Sequence, residues 1–262
     1  MSAAVRYQSR GPVGLITLDR PDNRNSMTPE LLDAFVVASA EARADRAARA
    51  VVITGTGGCF SSGADFKATV QRDDEGGTRT PAERSYAMYQ PFLSVLDLEV
   101  PVIAAVNGHA VGGGFGLALV CDIRIGARAA RYGANFARLG LHPGMAISYL
   151  LPRLIGASRA AELLFTGRLV DGDEAERLGL LSSAVDAADV LPRALALAEQ
   201  IAACAPIAVR LAKRSLYQGL GWDPRPAARA EAFAQAVTLG TADAAEGIAA
   251  LLGKRDPVFH GR

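Results

Sequence analysis

The chain has 262 residues, of which 50% are hydrophobic, and 28 Lys and Arg nearly balance 27 Asp and Glu. Such a chain can bury a large core as one domain, or as one domain with a small appendage. A formal net charge of +1 gives no electrostatic reason to expect nucleic acid or a membrane as partner. The three cysteines form no CxxC pair or metal-ligand pattern, the start MSAAVR lacks a signal-peptide core, and no apolar run approaches a membrane span. We therefore expect a cytoplasmic protein without disulfides or a metal.

The first third of the chain predicts strands and helices in alternation. Apolar runs rich in β-branched residues predict strands, and Thr28-Pro29-Glu30 predicts a helix start because Thr can cap and Pro suits the first turn. The predicted elements are strands at 5–8, 13–18, 50–55 and 60–61, and helices from 28 to about 45 and from 81 to about 98. This order predicts an α/β layout with crossover connections.

Residues 71–84 form the most polar stretch of the chain and contain Gly76-Gly77. A surface loop is the simpler interpretation. The alternative is a lid over a ligand site, which could bring Asp73, Asp74 or Glu75 into it.

The rest of the chain becomes increasingly helical. Strands are expected at 123–126 and 130–133, a loop at 134–144, and helices at 145–154, 158–166 and 173–178. From 191 the pattern predicts amphipathic helices at 191–203, 206–217, 224–239 and 242–252. We therefore divide the chain into a core at 1–190 and a helical region at 191–262, whose apolar faces pack either on that core or on another copy.

The most informative stretch is Pro101–Asp122. A buried strand at Val102–Val106 leads through a turn into Gly112-Gly113-Gly114, and we expect a helix to begin near Gly113. Glycines lack a Cβ, and the first N–H groups of a helix are unpaired at the positive end of its dipole. Such a place can hold an anion, or an oxygen that becomes one during reaction.

A second glycine-bearing stretch, Cys59–Lys67, follows the strand at 50–54. Neither stretch contains GxGxxG or Gly-Lys-Ser/Thr, so the signatures of a dinucleotide or phosphate loop are missing. Two strand ends could instead each direct one backbone N–H at the same oxygen, which is an oxyanion-hole arrangement.

Four motifs carry a family resemblance, in order along the chain: LDRPDNRNSM, CFSSGADFK with PVIAAVNGHAVGGGFGLALVCDIRI, FTGRLVDGDEAERLGLLSSAV and GKRDPVFHGR. Together they resemble the crotonase (enoyl-CoA hydratase/isomerase) superfamily. The resemblance implies an α/β fold with a core that is a ββα superhelix. It also implies an α-helical C-terminal region that assembles trimers or dimers of trimers.

The resemblance also implies site residues. Ala64 and Gly113 match the two N–H donors to a thioester carbonyl. Coenzyme A, bound as part of the acyl-CoA substrate rather than as a tightly held cofactor, would be contacted by a further set of residues: Arg24, Gly63, Lys67, Gly112, and Phe259 with Lys254 or Arg255 nearby. Asp122 is expected to be structural.

The chain departs from the family at the general-base positions. Hydratases of the superfamily use two glutamates, and matching positions here hold Gly116 and Phe136; a third position, an Asp in some relatives, holds Gly144. General acid–base groups contribute about 10²–10⁴-fold each, so we expect weak or absent hydration of short enoyl-CoA. We also expect an inner pocket that is apolar and roomier.

His142 is closest in sequence to the expected base, and an imidazole titrates near working pH. A loop or subunit-contact role for His142 is the alternative. His109 is expected to pack between strand and helix, and His260 to be exposed. Other candidates are Ser148, Tyr149 and the acids of residues 71–84.

Three functional hypotheses remain. The first is an enzyme that acts on an acyl-CoA thioester through an enolate, by isomerisation, slow hydration or related chemistry. The second is an acyl-CoA binding or carrier protein of fatty-acid metabolism that has lost the chemistry. The third, an oligomeric scaffold, leaves unexplained the glycine pair, by which we mean Gly63 and Gly113 of the two glycine-bearing stretches.

Overall fold

The computed structural model describes residues 3–65 and 79–262. The strands are β1 (Val5–Arg10), β2 (Val13–Leu18), β3 (Ala50–Gly55), β4 (Cys59–Ser61), β5 (Val102–Val106), β6 (His109–Val111), β7 (Ile123–Ala127), β8 (Tyr132–Gly133) and β9 (Ser183–Val185). The α-helices are α1 (Pro29–Ala44), α2 (Pro81–Leu93), α3 (Gly113–Val120), α4 (Ile147–Ile155), α5 (Ala157–Thr166), α6 (Gly172–Leu178), α7 (Val190–Ala202), α8 (Pro206–Gly219), α9 (Pro224–Leu239) and α10 (Ala242–Gly253).

Two sheets organise the chain. The larger has the order β1-β2-β3-β5-β7-β9, and the smaller has the order β4-β6-β8. Only β1 and β2 pair antiparallel in the larger sheet; its other neighbours are parallel. The carboxyl ends of the parallel strands therefore share one edge, here called the carboxyl edge, and the opposite one is the amino edge. The predicted α/β class is confirmed.

The chain repeats a strand–strand–helix unit, because β3, β5 and β7 each continue into a strand of the smaller sheet. The units β3-β4-α2 and β5-β6-α3 follow each other, and β7-β8 continues into a 3₁₀ helix at Asn135–Leu139. All residues of β2, β3 and β5 are buried, as expected for strands covered on both faces. In each repeat the chain therefore leaves the larger sheet at the carboxyl edge.

The helices cover the sheet unequally. α1 begins at the predicted cap, where the Thr28 hydroxyl accepts the Leu31 N–H, and Phe35 packs edge-on against Phe92 at 4.9 Å between ring centroids. α7 packs on β3 and β5 through buried residues at one face, whereas α8 and α9 contain no buried residue. The division that we predict at residue 190 stays a prediction. The first helix after it, α7, packs on the larger sheet.

Several short elements differ from the sequence predictions. β6 and β9 have three residues each, too few for a periodic pattern to show. The predicted loop at 134–144 contains the 3₁₀ helix, and the predicted strand at 130–133 shortens to β8. The helix expected to reach residue 98 ends at Leu93 and continues as a 3₁₀ turn, Ser94–Asp97.

Within the described ranges, no single helix is long and apolar enough to cross a membrane. One pair, at 187–202 and 206–219, reaches that length and composition only together, with a bend of 109° at its break. The same ranges contain no group of three His, Cys, Asp or Glu side chains arranged for a metal ion.

Candidate active site

Two glycine-bearing segments meet beyond the carboxyl ends of β3 and β5. Gly63 has a φ of +81°, and a Cβ placed there would lie 2.7 Å from the Gly113 nitrogen and 2.7 Å from the Val111 oxygen. A side chain at Gly63 would therefore collide with backbone. The glycine is required both by its conformation and by the direct contact with the start of α3.

The adjacent amides are free to donate. Among the hydrogen bonds of residues 3–65 and 79–262, none uses the N–H of Ala64 or of Gly113, whereas the Gly112 N–H donates to Gly133 at 2.9 Å. Gly113 is the first residue of α3, so its N–H also lies at the positive end of the helix dipole. Two unpaired donors from separate segments thus lie next to each other, which suits an oxygen that gains negative charge.

A parallel segment fixes the first glycine stretch. The Met27 N–H donates to Gly63 at 2.8 Å, and the Ser62 N–H donates to Arg24 at 3.0 Å. Arg24 adopts a left-handed φ of 60° and is exposed beside the site. Arg24 forms no salt bridge within the part of the chain that the structure describes. Its guanidinium is thus available to an anionic ligand.

Two asparagines, which the sequence analysis missed, hold the turns under the site. The Asn25 amide donates to the Cys59 carbonyl at 2.8 Å. The Asn107 side chain accepts from the Gly55 N–H at 3.1 Å and donates to Gly57 at 2.9 Å. Both lie in motifs quoted above, at NRNSM and AVNGH. Each is next to a turn, where a side-chain amide can replace a backbone hydrogen-bond partner. That local signal could have found them.

The space beside Gly116 is filled. A Cβ at Gly116 would lie 2.4 Å from the Met145 Cβ and 3.0 Å from its Cγ, and Met145 is 1% exposed. Met145 and Ala146 both adopt left-handed φ angles, 57° and 54°, which cost free energy in non-glycine residues and direct Met145 back against α3. The expectation of a roomier pocket at Gly116 is therefore wrong.

Phe136 lies beside the glycine pair. A Cβ at Gly112 would lie 3.7 Å from the Phe136 Cζ, so the half-buried ring faces the residue that precedes α3. Met145 packs against Gly116, one turn further along α3, so apolar side chains lie at or beside both positions that the resemblance assigns to glutamates. Their identification as lost glutamate positions stays a prediction.

The structure separates the three histidines. His142 is exposed, with its Nδ1 2.8 Å from the Pro143 carbonyl oxygen, so the expected base faces its own loop. His109 is exposed and accepts the Arg131 N–H at 2.9 Å; the prediction that it packs between strand and helix is wrong, because β6 turns it outward. His260 is exposed, as predicted.

Two further residues are predicted to contact coenzyme A, Lys67 and Phe259. Lys67 lies outside the described residues, as do Asp73, Asp74 and Glu75 of the predicted lid. Phe259 lies at the amino edge, where its carbonyl accepts Arg49 at 2.7 Å and its ring packs about Gly247. Arg49 immediately precedes β3, so one strand length separates Phe259 from the glycine pair of the same chain.

The two buried thiols, Cys59 near the site and Cys121 at the far end of α3, do not suit nucleophilic chemistry. Burial raises the pKa of Cys59 to about 11 and that of Cys121 to about 12, which keeps both protonated. Cys59 donates to the His109 carbonyl at 3.1 Å, so it serves the packing of β4 on β6.

Comparison with known proteins identifies the family. The family model for enoyl-CoA hydratase/isomerase matches residues 8–262. The chain belongs to this family. It is 42% identical over 270 residues to "Probable enoyl-CoA hydratase echA12" of Mycobacterium bovis, covering 99% of this chain and 93% of that protein.

Solved structures agree on the fold. An enoyl-CoA hydratase from Bacillus anthracis has a TM-score of 0.91 at 34% identity, covering 99% of this chain and 100% of that chain. An enoyl-CoA hydratase from a Polaromonas species has a TM-score of 0.90 at 31% identity, covering 98% and 99%. The predicted crotonase fold is therefore confirmed.

Proposed function

We propose that the chain binds an acyl-CoA thioester and polarises its carbonyl with the N–H groups of Ala64 and Gly113. The observation that supports this is the contact of Gly63 with Gly113, beside which both amides lack a partner within the described residues. An enolate formed at that carbonyl would place its negative charge between two preorganised donors. Each such donor is worth about 3 kcal/mol of transition-state stabilisation in acyl-transfer enzymes.

The coenzyme portion is assigned to the exposed Arg24 and to glycine backbone beside it. Arg24 would meet a phosphate, and the bare backbone of Gly63 and Gly112 would allow the pantetheine arm to approach closely. Lys67 stays a proposal from the resemblance. Phe259 could contact coenzyme A only in another copy of the chain, because its own site lies at the opposite edge.

Self-association as a trimer or a dimer of trimers is part of the proposal. α8 and α9 contain no buried residue, and large apolar side chains on and between them are exposed, including Leu216, Leu220, Trp222, Phe233 and Leu239. Contiguous apolar surface of this kind favours burial against a partner.

A matched pair of ligands tests the carbonyl directly. Butanoyl-CoA and the thioether S-butyl-CoA differ in the one oxygen that the two N–H groups would bind. Two net hydrogen bonds of about 1 kcal/mol each predict that butanoyl-CoA binds about 30-fold more tightly by calorimetry. Equal affinity for the two ligands would overturn the proposal.

A second function has support of its own. Met145 against Gly116 and Phe136 beside Gly112 make the inner wall apolar, which favours a binding or carrier protein of fatty-acid metabolism. We expect hydration of crotonyl-CoA to be far slower than in ordinary hydratases, since water would lack anchoring carboxylates. Acyl-CoAs of rising chain length, assayed for binding and for products by mass spectrometry, separate carrier from enzyme. Loss of product in His142→Ala would support His142 as base.

A further inference from the structure

A cavity of about 690 Å³ lies at the amino edge of the larger sheet. It is bounded by the turn before β2, the segment before β3, the junction of α7 and α8, and the C-terminal tail. Because these segments precede the parallel strands, one strand length separates the cavity from the glycine pair. Its volume lies within the range of sites for small organic molecules, which is about 300–1,000 Å³.

Tertiary contacts hold the walls of this cavity together. The Arg49 guanidinium donates to the Ala202 carbonyl at 3.0 Å and to the Phe259 carbonyl at 2.7 Å, so one side chain joins the end of α7 to the tail. The tail also packs on the start of α8, because a Cβ at Gly261 would lie 3.1 Å from the Pro206 Cγ. The cavity is therefore part of the fold and does not depend on side chains that project into solvent.

Most of the charged side chains that line the cavity are cationic. The ionisable residues of its lining are Arg46, Arg49, Arg210, His260 and Glu199. Within residues 3–65 and 79–262, neither Arg46 nor Arg210 forms a salt bridge. Asp45 precedes Arg46 but accepts the Tyr7 hydroxyl at 2.6 Å and the Ala47 N–H at 2.9 Å. Two arginines thus line the cavity without a carboxylate partner among the described residues.

We infer that this cavity binds an organic phosphate, at a site separate from the one proposed for the thioester. Guanidinium groups match the oxygens of a phosphate and can bind them through paired hydrogen bonds. Arg46 precedes β3 and Arg210 belongs to α8, so the two cations come from different walls. That arrangement suits a group with acceptor oxygens on every side better than a flat carboxylate. Pro12 and Pro206 add apolar lining that suits an uncharged organic part.

The test titrates pyrophosphate by calorimetry into the chain saturated with coenzyme A, and in parallel into the free chain. About 0.15 M salt screens attraction between exposed charges. Arg46→Gln and Arg210→Gln each remove one cation from the lining, and both side chains are exposed, so the fold should be kept. We expect each variant to lower the affinity about 10-fold. Glu199→Gln removes a like charge and should raise the affinity about 3-fold.

Arg43→Gln is the matched control. Arg43 is exposed in the last turn of α1, close to Arg46 in sequence, and it does not line the cavity. The control changes the net charge by the same amount and should alter the affinity less than about 2-fold, because an exposed charge outside the cavity is screened.

Equal losses in Arg43→Gln and Arg46→Gln would mean general attraction by charge and would overturn the site, as would no binding by the wild-type chain. Binding that coenzyme A abolishes would assign the arginines to the coenzyme, and a separate site would again be excluded. These titrations do not involve the thioester carbonyl. The comparison of butanoyl-CoA with S-butyl-CoA therefore decides the proposed function independently.

Discussion

The two edges of the larger sheet differ in whether their backbone polar groups have hydrogen-bond partners. At the carboxyl edge, the backbone N–H groups of Ala64 and Gly113 have no hydrogen-bond partner among the described residues, and glycines keep side chains away. At the amino edge, side chains satisfy the backbone: Asp122 accepts the Val102 N–H at 2.6 Å and the Tyr217 hydroxyl at 2.6 Å, and pairs with Lys213 at 2.8 Å. Lys213 also donates to the Val100 carbonyl at 2.9 Å.

The difference indicates that the carboxyl edge contributes to recognition of the thioester ligand and the amino edge to stability. The carboxyl edge presents unused donors to a ligand, which costs stability unless the ligand is bound. The amino edge ties α8 to the sheet through one nearly buried carboxylate, consistent with the predicted structural role of Asp122. Mutations at the two edges should therefore separate stability from ligand recognition.

The largest effect on stability is expected for Asp122→Ala. The change leaves Lys213 nearly buried without its carboxylate, and breaking such a pair costs about 3 kcal/mol. Denaturant unfolding should show the loss, while the preference for butanoyl-CoA over S-butyl-CoA stays unchanged. In Asp122→Asn with Lys213→Met, removing both charges should recover part of the stability. A changed ligand preference at full occupancy would break the separation of the edges.

Gly113→Ala should have the opposite profile. The new Cβ would lie 2.2 Å from the Met27 Sδ, the end of a flexible side chain that can move, so we expect a loss of about 1 kcal/mol of stability. Displacement of Met27 and the Gly113 amide should lower the preference for butanoyl-CoA about 10-fold. Gly114→Ala is the contrast, because its Cβ would meet the Ser61 backbone oxygen at 2.2 Å and the fold itself must shift. A stable Gly114→Ala would contradict this view.

Sequence reasoning predicted the features that depend on local chemistry. Strands β2, β3 and β5 show as apolar runs, the α1 cap as Thr-Pro, and the two glycine stretches as strand ends followed by bare backbone. The convergence of Gly63 with Gly113 could only be expected, since it depends on how parallel strands align at one edge.

The sequence could not predict which side chains fill the space beside the site. The loss of a side chain at Gly116 suggested room, but Met145 reaches that position from a loop in a left-handed conformation that no pattern indicates. His109 was misplaced because β6 is too short to predict which way its first residue faces.

Thiol labelling tests how closely the protein is packed around its cysteines, with a smaller expected effect. Burial raises the pKa of Cys59, at the carboxyl edge, to about 11 and that of Cys121 to about 12, whereas Cys204 beyond α7 is exposed. At pH 8 the Cys59 thiolate fraction is about 10⁻³, so an aromatic disulfide reagent should modify Cys204 alone in the folded protein. Denaturation should release the other two. Rapid modification of Cys59 in the native state would contradict a closed packing beneath the site.

The smallest effect concerns the tail at the amino edge. Arg255 and the Val258 N–H lower the pKa of Glu246 to about 2, below its ordinary value of 4.5. A lowered carboxyl pKa gives a stabilising contribution that is present above the ordinary value and is lost as pH falls through about 2. Hydrogen exchange should therefore find the Val258 amide protected at pH 3, and exposed in Glu246→Ala at any pH. The His260 N–H, held by Asp243 at 2.7 Å, should stay protected in that variant. Loss of Val258 protection already at pH 4 would mean that Arg255 does not hold the carboxylate, and that the tail depends on Asp243 and Arg49 alone.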